Sequence, residues 1–360
     1  MILLAFQMSG RVMRTLMVRP IKRGTVSSQV KKVALMAFAA SVCWILANSS
    51  SKPIIHDSDD NDLLMNTCSD SMPVLDIRNY VNHTIPVIYF ITPTYARREQ
   101  VADLTRLFQT LLHINNLVWI IAEDSERCSN AVSNTVSSHK KIPYVHLASP
   151  SPKGVSRRVK GVSGKNAGVA WILDNESNLQ PGVIYFGDDD NTYDLDLFEE
   201  IRWTKKVSMF PVAFVGPMSD KGQQFSSPIV QEGKVVGFSD PWFGMRKFPV
   251  YTAGFAVNID LVKKHRPKIP YIKGYEDTSF LENMKLAYGD IEPLANGCTE
   301  VLVWHTQTKK LAIPNYKTGV RQGQNLDALM HDMSGKGMLI ESSNGTKPVK
   351  VCLNKEGCKT

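Results

Sequence analysis

The sequence predicts an α/β protein with a parallel sheet covered on both faces, a mixed second lobe and one N-terminal transmembrane helix. Three observations lead to this prediction. After residue 86, short apolar and β-branched segments alternate with helical segments. Those short segments are apolar at almost every position, which is typical of parallel strands buried on both faces. Ahead of them, an uncharged run at 33–47 follows a basic arm, which is the pattern of a membrane anchor.

The basic residues of the chain are concentrated at its start. The 360 residues include 42 basic and 34 acidic ones, for a formal net charge of +8. Residues 1–32 contain seven Lys or Arg and no acid, so the rest of the chain is close to neutral. Nucleic-acid binding needs basic residues clustered in the folded domain. The sequence therefore predicts no nucleic-acid partner.

The uncharged run 33–47 is predicted to be a type II anchor. At about 1.5 Å per residue it spans roughly 23 Å, against about 30 Å for an average bilayer core. Flanking residues in a thin early secretory membrane close that gap. Lys31 and Lys32 adjoin its start and Asp57 follows its end, so the positive-inside rule places 1–32 in the cytosol and the remainder in a lumen. The alternative is a signal peptide cleaved near Ala47, for which the basic arm is long.

A lumenal chain would meet glycosylation and oxidation. Asn-X-Ser/Thr sequons begin at four positions, Asn48, Asn82, Asn175 and Asn344. The six cysteines leave the disulfide pairing open. Their positions allow a local bridge between Cys352 and Cys358, and a bridge from Cys68 to a second chain.

The first lobe, 85–195, is predicted to follow a polar stem at 48–84. Its strands are 87–92, 117–122, 143–147 and 182–186, and its helices are 99–114, 126–138 and 165–173. Ligands of parallel sheets bind at the carboxyl ends of the strands. That edge of the sheet is therefore the candidate binding site, and it would carry Pro93, Tyr95, Asp124 and residues 188–190.

The second lobe, 196–310, is predicted to be mixed and to extend the same sheet. Its predicted elements are strand-like segments at 214–217, 253–257 and 301–304, a hairpin at 229–238 that turns at Glu232-Gly233, and a helix that begins near Asp277. Residues 311–360 are polar and rich in glycine, and we expect a tail with little fixed structure.

Three consecutive carboxylates, Asp188, Asp189 and Asp190, follow the fourth strand. Like charges so close together repel one another, so a bound cation is the natural reason to keep them, with a solvated acidic turn as the alternative. Hard oxygen ligands favour Mg²⁺ or Mn²⁺ bridging a diphosphate. A basic loop that leads into the third helix suits phosphate, or is an ordinary solvated loop. Its basic residues are Arg157, Arg158, Lys160 and Lys165.

Four segments resemble the β1,3-glucuronosyltransferase family. They are 87–97 (VIYFITPTYAR), 188–203 (DDDNTYDLDLFEEIRW), 248–257 (FPVYTAGFAV) and 301–306 (VLVWHT). The resemblance covers residues 85–310, nearly the whole lumenal part. It implies a GT-A-like, Rossmann-type nucleotide-binding sheet, a second, acceptor-binding lobe, and a type II Golgi membrane protein that acts on proteoglycan linkers or glycoproteins, by analogy as a homodimer.

The resemblance also implies a UDP-glucuronate donor, Mn²⁺ and a transfer that inverts the anomeric carbon. Asp190 would bind Mn²⁺ directly, and Asp188 and Asp189 would face the ribose and the donor sugar. The other donor-binding positions that it implies are Pro93, Tyr95 near the uracil, Asp124 at the base, and Lys160, Lys165 and His305 at the diphosphate and donor sugar. Both lysines stand where the family has arginines, so they keep the charge and lose the bidentate fork.

An inverting transfer needs a carboxylate that removes the proton of the acceptor hydroxyl. In the family this base is a Glu shortly after a Gly and an aromatic residue. The ungapped register puts Asp277 in that place, directly after Glu276. Asp is one methylene shorter, and catalytic placement tolerates such differences poorly. Either Asp277 is the base, or Glu276 serves, or both acids only favour a helix N-terminus.

The acceptor positions depart from the resemblance. Tyr251 and Ser226 stand where acidic residues usually contact the acceptor galactose, whereas Arg246 is retained. The resemblance implies transfer to a galactose-terminated glycan of a proteoglycan linker or a glycoprotein. The alternatives are a non-catalytic lumenal UDP-sugar-binding protein and a transferase with a different donor or acceptor.

Overall fold

A computed structural model describes residues 65–137, 141–155, 159, 161–216, 224–241, 246–317 and 325–346, and the backbone of 351–353 and 357–359. The chain divides into two units after Asp60, and all of the described residues belong to the second unit. The predicted cytosolic arm 1–32 and the predicted anchor 33–47 lie outside the described residues. Among the helices that are described, none has the length and apolar character needed to cross a membrane.

The helices and strands follow the predicted alternation. The strands are β1 Asn66–Thr67, β2 Val87–Thr94, β3 Leu117–Glu123, β4 Tyr144–Ala148, β5 Gly182–Phe186, β6 Thr192–Tyr193, β7 Val207–Met209, β8 Val212–Phe214, β9 Phe225–Gln231, β10 Lys234–Ser239, β11 Phe255–Asn258, β12 Ile291–Pro293, β13 Val303–His305, β14 Asn315–Lys317, β15 Ile340–Ser342, β16 Val351–Leu353 and β17 Gly357–Lys359. The helices are α1 Val74–Tyr80, α2 Gln100–Leu111, α3 Asn130–Ser137, α4 Val162–Asp174, α5 Leu195–Arg202, α6 Ile259–His265, α7 Glu276–Asn283, α8 Leu294–Cys298 and α9 Asn325–Gly335.

The main sheet has eight strands in the order β1-β4-β3-β2-β5-β11-β7-β12. At its centre β4, β3, β2 and β5 are parallel, as the alternation of strands and helices predicts. Strand β11 lies antiparallel between β5 and β7, and β12 is parallel to β7. The second lobe therefore extends the same sheet, which confirms that prediction.

Both faces of the main sheet are buried. Along β2, Val87, Tyr89 and Ile91 belong to one hydrophobic core, and Ile88 and Phe90 belong to the other. None of the five is more than 1% exposed. Because successive side chains of a strand point to opposite faces, a strand that is apolar throughout fills a core on each side. Helices α4, α6 and α7 contribute to the first core, and α2, α3 and α5 to the second.

Helix α4 packs closely against the sheet because two of its residues are glycines. A Cβ on Gly164 would lie 3.0 Å from the carbonyl oxygen of Ala122, and one on Gly168 would lie 2.6 Å from the Ile91 side chain. Pro93, at the end of β2, also lines this contact. The close approach brings the first turn of α4, which contains Lys165, to the carboxyl ends of the central strands.

Five further strands form a second sheet in the order β10-β9-β8-β13-β6. The predicted hairpin is confirmed, because β9 and β10 are antiparallel and are joined by Glu232 and Gly233 with φ values of 49° and 73°. Strand β13 pairs with β6 and β8 and ends at His305. The second lobe thus has a sheet of its own as well, which the sequence did not predict.

A disulfide joins Cys68 to Cys128, so the prediction that Cys68 links two chains is wrong. Strand β1 pairs with β4 at the edge of the main sheet, which brings Cys68 to the loop that follows β3, with 5.8 Å between the Cα atoms of the two cysteines. Cys298 is a free, half-buried thiol. The register of β16 and β17 places Cys352 opposite Cys358, and a bridge between them stays a prediction.

Secondary structure extends into both the predicted stem and the predicted tail. Within 48–84, strand β1 and helix α1 belong to the folded unit, and Ile77 of α1 is 1% exposed. After residue 311, β14 and β15 form a parallel pair and α9 precedes β15. The expectation of little fixed structure there is wrong, because a few apolar residues such as Met330 and Leu339 are buried in this segment.

Candidate active site

Three strand ends meet at the edge of the sheet that the sequence singled out. The backbone N–H of Asp124, after β3, donates to the carbonyl of Thr94 at the end of β2 across 2.8 Å. The Thr94 hydroxyl donates to Asp189, after β5, across 2.6 Å. The predicted meeting of these residues at the carboxyl ends of the parallel strands is therefore confirmed.

Asp188, Asp190 and His305 form a cluster that can hold a metal ion. One oxygen of each carboxylate and one ring nitrogen of His305 all lie within 4.8 Å of one another. The pairing of β13 with β6 brings His305 onto the acidic loop. Burial, together with the charges of Asp188 and Asp189, raises the pKa of Asp190 to about 7. Two carboxylates and an imidazole are suitable ligands for a divalent transition metal.

Hydrogen bonding fixes which nitrogen of His305 can bind a metal. Nδ1 lies 2.8 Å from Oδ1 of Asn191, and an amide oxygen only accepts, so Nδ1 carries the proton and Nε2 keeps its lone pair. Burial lowers the pKa of His305, which favours the neutral ring that metal binding requires. The sequence predicts a diphosphate contact for His305. The structure shows in addition that His305 lies beside Asp188 and Asp190.

Asp189 is held inside the protein. Its Oδ1 pairs with the guanidinium of Arg97 at 2.8 Å, and its Oδ2 accepts from Thr94. Arg97 also pairs with Asp103 of α2 at 2.7 Å. Asp189 is 6% exposed, so in this structure it fixes the loop that presents Asp188 and Asp190. A direct contact of Asp189 with the donor stays a prediction.

Asp277 lies in the first turn of α7 and is half-buried. Its Oδ1 accepts a hydrogen bond from the hydroxyl of Thr252. Burial raises the pKa of Asp277 to about 6, although Lys165 and Thr252 act in the opposite direction. The side chain of Glu276, the other candidate base, makes no hydrogen bond with the residues that the structure describes. Of the two acids, Asp277 is the one bonded into the site.

Lys165 reaches the same threonine from α4. It is 6% exposed, and its Nζ donates to Oγ1 of Thr252 across 3.0 Å. An ammonium, a hydroxyl and a carboxylate are therefore connected in series, from α4 through the turn before β11 to α7.

Two consecutive residues connect this series to the metal cluster. The hydroxyl of Tyr251 donates to Oδ2 of Asp188 across 3.1 Å and lies 3.0 Å from Nδ1 of His305. Thr252, the next residue, bonds Asp277 and Lys165. The sequence predicts an acceptor contact for Tyr251, whereas the structure directs its hydroxyl to the metal cluster. The predicted metal site and the predicted base are thus held by one turn of the chain.

The resemblance implies that Tyr95 and Asp124 bind the nucleoside, and that role stays a prediction. The Arg97 guanidinium and the Lys310 ammonium lie over the Tyr95 ring, 4.9 and 4.6 Å from its centre. Asp124 is exposed, and its carboxylate accepts from the backbone N–H and the hydroxyl of Ser151 at 2.7 and 2.8 Å. Pro93 is buried against the start of α4.

The predicted acceptor residues differ in accessibility. Ser226 is fully buried in the second sheet, and its hydroxyl accepts from the backbone N–H of Tyr251 at 3.1 Å. It therefore supports Tyr251 and does not offer its hydroxyl to an acceptor in this structure. Arg246 pairs with Asp240 at 2.7 Å. Lys160, with Arg157 and Arg158, lies outside the described residues.

Arg97, Asn191 and Thr252 belong to the site, and sequence reasoning did not single them out. All three lie within the segments that carry the family resemblance, so their position was a usable signal. Thr252 bonds residues that are 25 and 87 positions away in the chain. No local pattern predicts contacts of that range.

The sequence matches the profile of a class of glycosyltransferases, glycosyltransferase family 43, over residues 107–309. It is 44% identical over 280 residues to galactosylgalactosylxylosylprotein 3-beta-glucuronosyltransferase S of Drosophila melanogaster, which covers 76% of this chain and 66% of that protein. With protein P of the same name and organism, identity is 43% over 234 residues, or 63% of this chain and 47% of that protein. Human protein 2 of this name is 40% identical over 240 residues, which make up 64% of this chain and 72% of that protein.

The chain belongs to glycosyltransferase family 43. The resemblance that its four sequence segments carry is therefore confirmed. The matched part of the chain spans 66% of the first Drosophila relative and less than half of the second.

Proposed function

We propose that the chain is an inverting, Mn²⁺-dependent β1,3-glucuronosyltransferase that moves glucuronate from UDP-glucuronate to a galactose-terminated glycan, on a GT-A-like fold. Membership of family 43 and the names of the relatives support the reaction. One structural observation carries the proposal. The side chains of Tyr251 and Thr252 bond the candidate metal cluster on one side and the candidate base on the other.

The residues present fit a divalent metal at Asp188, Asp190 and His305. Repulsion between the carboxylates contributes to the raised pKa of Asp190, and a cation at this point offsets that repulsion. His305 keeps Nε2 available, because Nδ1 is bonded to Asn191. These three side chains would hold Mn²⁺, which would supply positive charge beside the leaving diphosphate.

Asp277 supplies the base of the transfer. The acceptor hydroxyl gives its proton to the Asp277 carboxylate while its oxygen forms a bond to the anomeric carbon of the donor. The bond from that carbon to the diphosphate oxygen breaks, and its electron pair leaves with UDP. Attack opposite the leaving group inverts the anomeric carbon. A pKa of about 6 leaves Asp277 ionised at neutral pH and more basic than an exposed aspartate.

A donor panel tests this proposal. The 360-residue chain in detergent, with Mn²⁺, is given radiolabelled UDP-glucuronate, UDP-xylose, UDP-galactose and UDP-N-acetylglucosamine in turn. Galactose-terminated and xylose-terminated acceptors are compared for each donor. We expect transfer from UDP-glucuronate to the galactose terminus alone, and loss of transfer on chelation of the metal.

Two other outcomes would replace the proposal. Transfer from a different UDP-sugar, or to the other acceptor, would mean a transferase of different specificity. Metal-dependent binding of UDP without transfer from any donor would mean a non-catalytic sugar-nucleotide-binding protein.

We propose further that the folded part lies in the Golgi lumen behind a type II anchor at 33–47. The Cys68–Cys128 disulfide supports an oxidising compartment. The sequon at Asn82 is exposed, whereas the amide of Asn175 donates to the Trp171 carbonyl across 2.8 Å.

Deglycosylation of the protein from animal cells should increase its gel mobility. Asn82→Gln should reduce that change and Asn175→Gln should not, and no change in the parent protein would contradict a lumenal position.

A homodimer is proposed by analogy with the family. Sedimentation equilibrium should then give twice the chain mass of 40.2 kDa, after correction for bound detergent. A single chain mass at micromolar concentration would contradict it.

A further inference from the structure

Thr252 separates two charged side chains that come from different helices. Nζ of Lys165, on α4, lies 3.0 Å from its hydroxyl oxygen. Oδ1 of Asp277, on α7, is bonded to the same oxygen. Thr252 and Lys165 are each 6% exposed, so water does not replace these contacts in the folded protein.

The chemistry of the three groups fixes the direction of both hydrogen bonds. An ammonium only donates, so Oγ1 of Thr252 accepts from Lys165. The hydroxyl has a single proton, which is therefore directed at Oδ1 of Asp277. Oδ2 of Asp277 makes no hydrogen bond with any residue in the described part of the chain. One carboxylate oxygen is thus held and the other is left for a ligand.

We propose that Thr252 is a positioning residue for the transfer, which holds Asp277 in the orientation where Oδ2 receives the acceptor proton and joins it to the charge of Lys165. The inference rests on the proposed function, since the orientation of Asp277 matters to turnover only if Asp277 is the base. Placement of a base has to be held within a fraction of an ångström. A side chain as short as Asp reaches its position only if its torsion angles are fixed, and a bond to one oxygen fixes them.

The charged and titratable groups around Asp277 give Thr252 a measurable signature. They are Lys165 from α4, Glu276 on its own helix, Asp188 from the loop after β5, and Tyr251 from the adjacent turn. The hydrogen bond from Thr252 stabilises the ionised carboxylate, as does the charge of Lys165. Loss of the hydroxyl should therefore raise the pKa of Asp277 above its value of about 6.

The test compares Thr252→Val, which has the same shape without the hydroxyl, with Thr252→Ser, which keeps the hydroxyl. Thr204→Val is the matched control, because Thr204 is also buried and its hydroxyl bonds the Ile201 carbonyl and Ser208, away from the site. We expect Thr252→Val to lower kcat by roughly tenfold or more, since small displacements of catalytic groups cost up to about a hundredfold. The KM for UDP-glucuronate should change less than kcat does, because Lys165, which the resemblance places at the donor, keeps its charge when the hydroxyl is removed.

The pH profile separates positioning from a general loss of stability. The acidic limb of kcat should move up by about one pH unit in Thr252→Val, which corresponds to one hydrogen bond to a charged group. Thr252→Ser should restore kcat and the limb, and Thr204→Val should leave the limb in place. Full kcat with an unmoved limb in Thr252→Val would overturn the inference.

A second measurement does not depend on turnover. The carboxyl ¹³C resonance of Asp277, identified by its loss in Asp277→Asn, is titrated in the parent and in Thr252→Val, or in Thr252→Ala if the valine variant does not fold. A higher pKa in the variant is expected, and an equal or lower value would overturn the inference. A raised pKa in a protein that transfers no sugar would refute the proposed function and leave the contact of Thr252 with Asp277 established.

Discussion

The hydroxyl of Tyr251 donates a hydrogen bond to Asp188 across 3.1 Å. The same oxygen lies 3.0 Å from Nδ1 of His305, and the centres of the two rings are 4.8 Å apart. According to the resemblance, the family usually has an acidic residue where Tyr251 stands in this chain. A tyrosine here bonds the cluster without adding a fourth negative charge beside Asp188, Asp189 and Asp190, which is why we assign it to the metal side of the site.

Tyr251→Phe should therefore weaken the metal site. Groups that hold metal ligands in place typically contribute about 10–100-fold to metal affinity, so we expect the Mn²⁺ concentration for half-maximal UDP binding to rise by roughly tenfold. Calorimetry of Mn²⁺ and UDP binding measures this. The control is Tyr89→Phe, which removes a hydroxyl bonded to the Gln180 carbonyl. An unchanged Mn²⁺ requirement in Tyr251→Phe would return Tyr251 to the acceptor role that the sequence predicts.

Asp190→Asn should abolish Mn²⁺-dependent binding of UDP. The substitution removes one negative charge from a candidate direct ligand, and hard cations depend on that charge. Asp194→Asn is a matched control, because Asp194 caps helix α5 through the N–H of Asp196, and Asn caps equally well. Calorimetry that finds the same metal-dependent affinity in Asp190→Asn would refute the metal assignment.

Activity should fall on the acid side of about pH 6. Asp277 must be ionised to accept a proton, and its pKa in the folded protein is raised to about 6. As pH falls through that value the base is protonated, so kcat should decrease about tenfold per pH unit below it. Initial rates at saturating Mn²⁺ and UDP-glucuronate measure this, with the metal held in excess so that Asp190 remains ligated. A limb near pH 4, the range of an ordinary aspartate, would contradict the assignment.

Removal of the disulfide should destabilise the fold of each chain, and it should not separate two chains, because the bridge lies within one chain. Cys68 and Cys128 are 60 residues apart, and a crosslink that closes such a loop typically contributes about 2–4 kcal/mol. We expect the double serine variant to lose that much free energy of unfolding in denaturant titrations. Cys298→Ser, at a free thiol, should change it by less than about 1 kcal/mol. A chain dimer that survives on a non-reducing gel and disappears in Cys68→Ser would contradict the intrachain bridge.

The central sheet was predictable because its information is local. In β2, each of five consecutive residues from Val87 to Ile91 is apolar, and a parallel strand buried on both faces needs that pattern. The rule that ligands bind at strand ends then located the acidic triplet and Asp124. The family resemblance added His305 and Asp277, which no periodicity would have joined to that edge.

The contacts that organise the site were not predictable, because they depend on packing between distant segments. Thr252 meets Lys165 only because α4 approaches the sheet through Gly164 and Gly168. Ser226 was expected at the acceptor, but the pairing of β9 with β8 buries it. Cys68 reaches Cys128 through the pairing of β1 with β4 at the edge of the sheet. The short β1 strand has no sequence pattern that distinguishes it from a polar stem.

The proposed transfer depends on one carboxylate, and comparison of the two adjacent acids tests it most directly. Turnover and UDP affinity are measured for Asp277→Asn and Glu276→Gln with UDP-glucuronate, Mn²⁺ and a galactose-terminated acceptor. The amide oxygen introduced by Asp277→Asn can still accept the hydrogen bond from Thr252, so the variant should fold. We expect Asp277→Asn to lose at least about a hundredfold in kcat, in the range typical of general bases, with UDP affinity nearly unchanged and with Glu276→Gln close to the parent. If Glu276→Gln were inactive and Asp277→Asn active, the assignment of Asp277 as the base would be wrong.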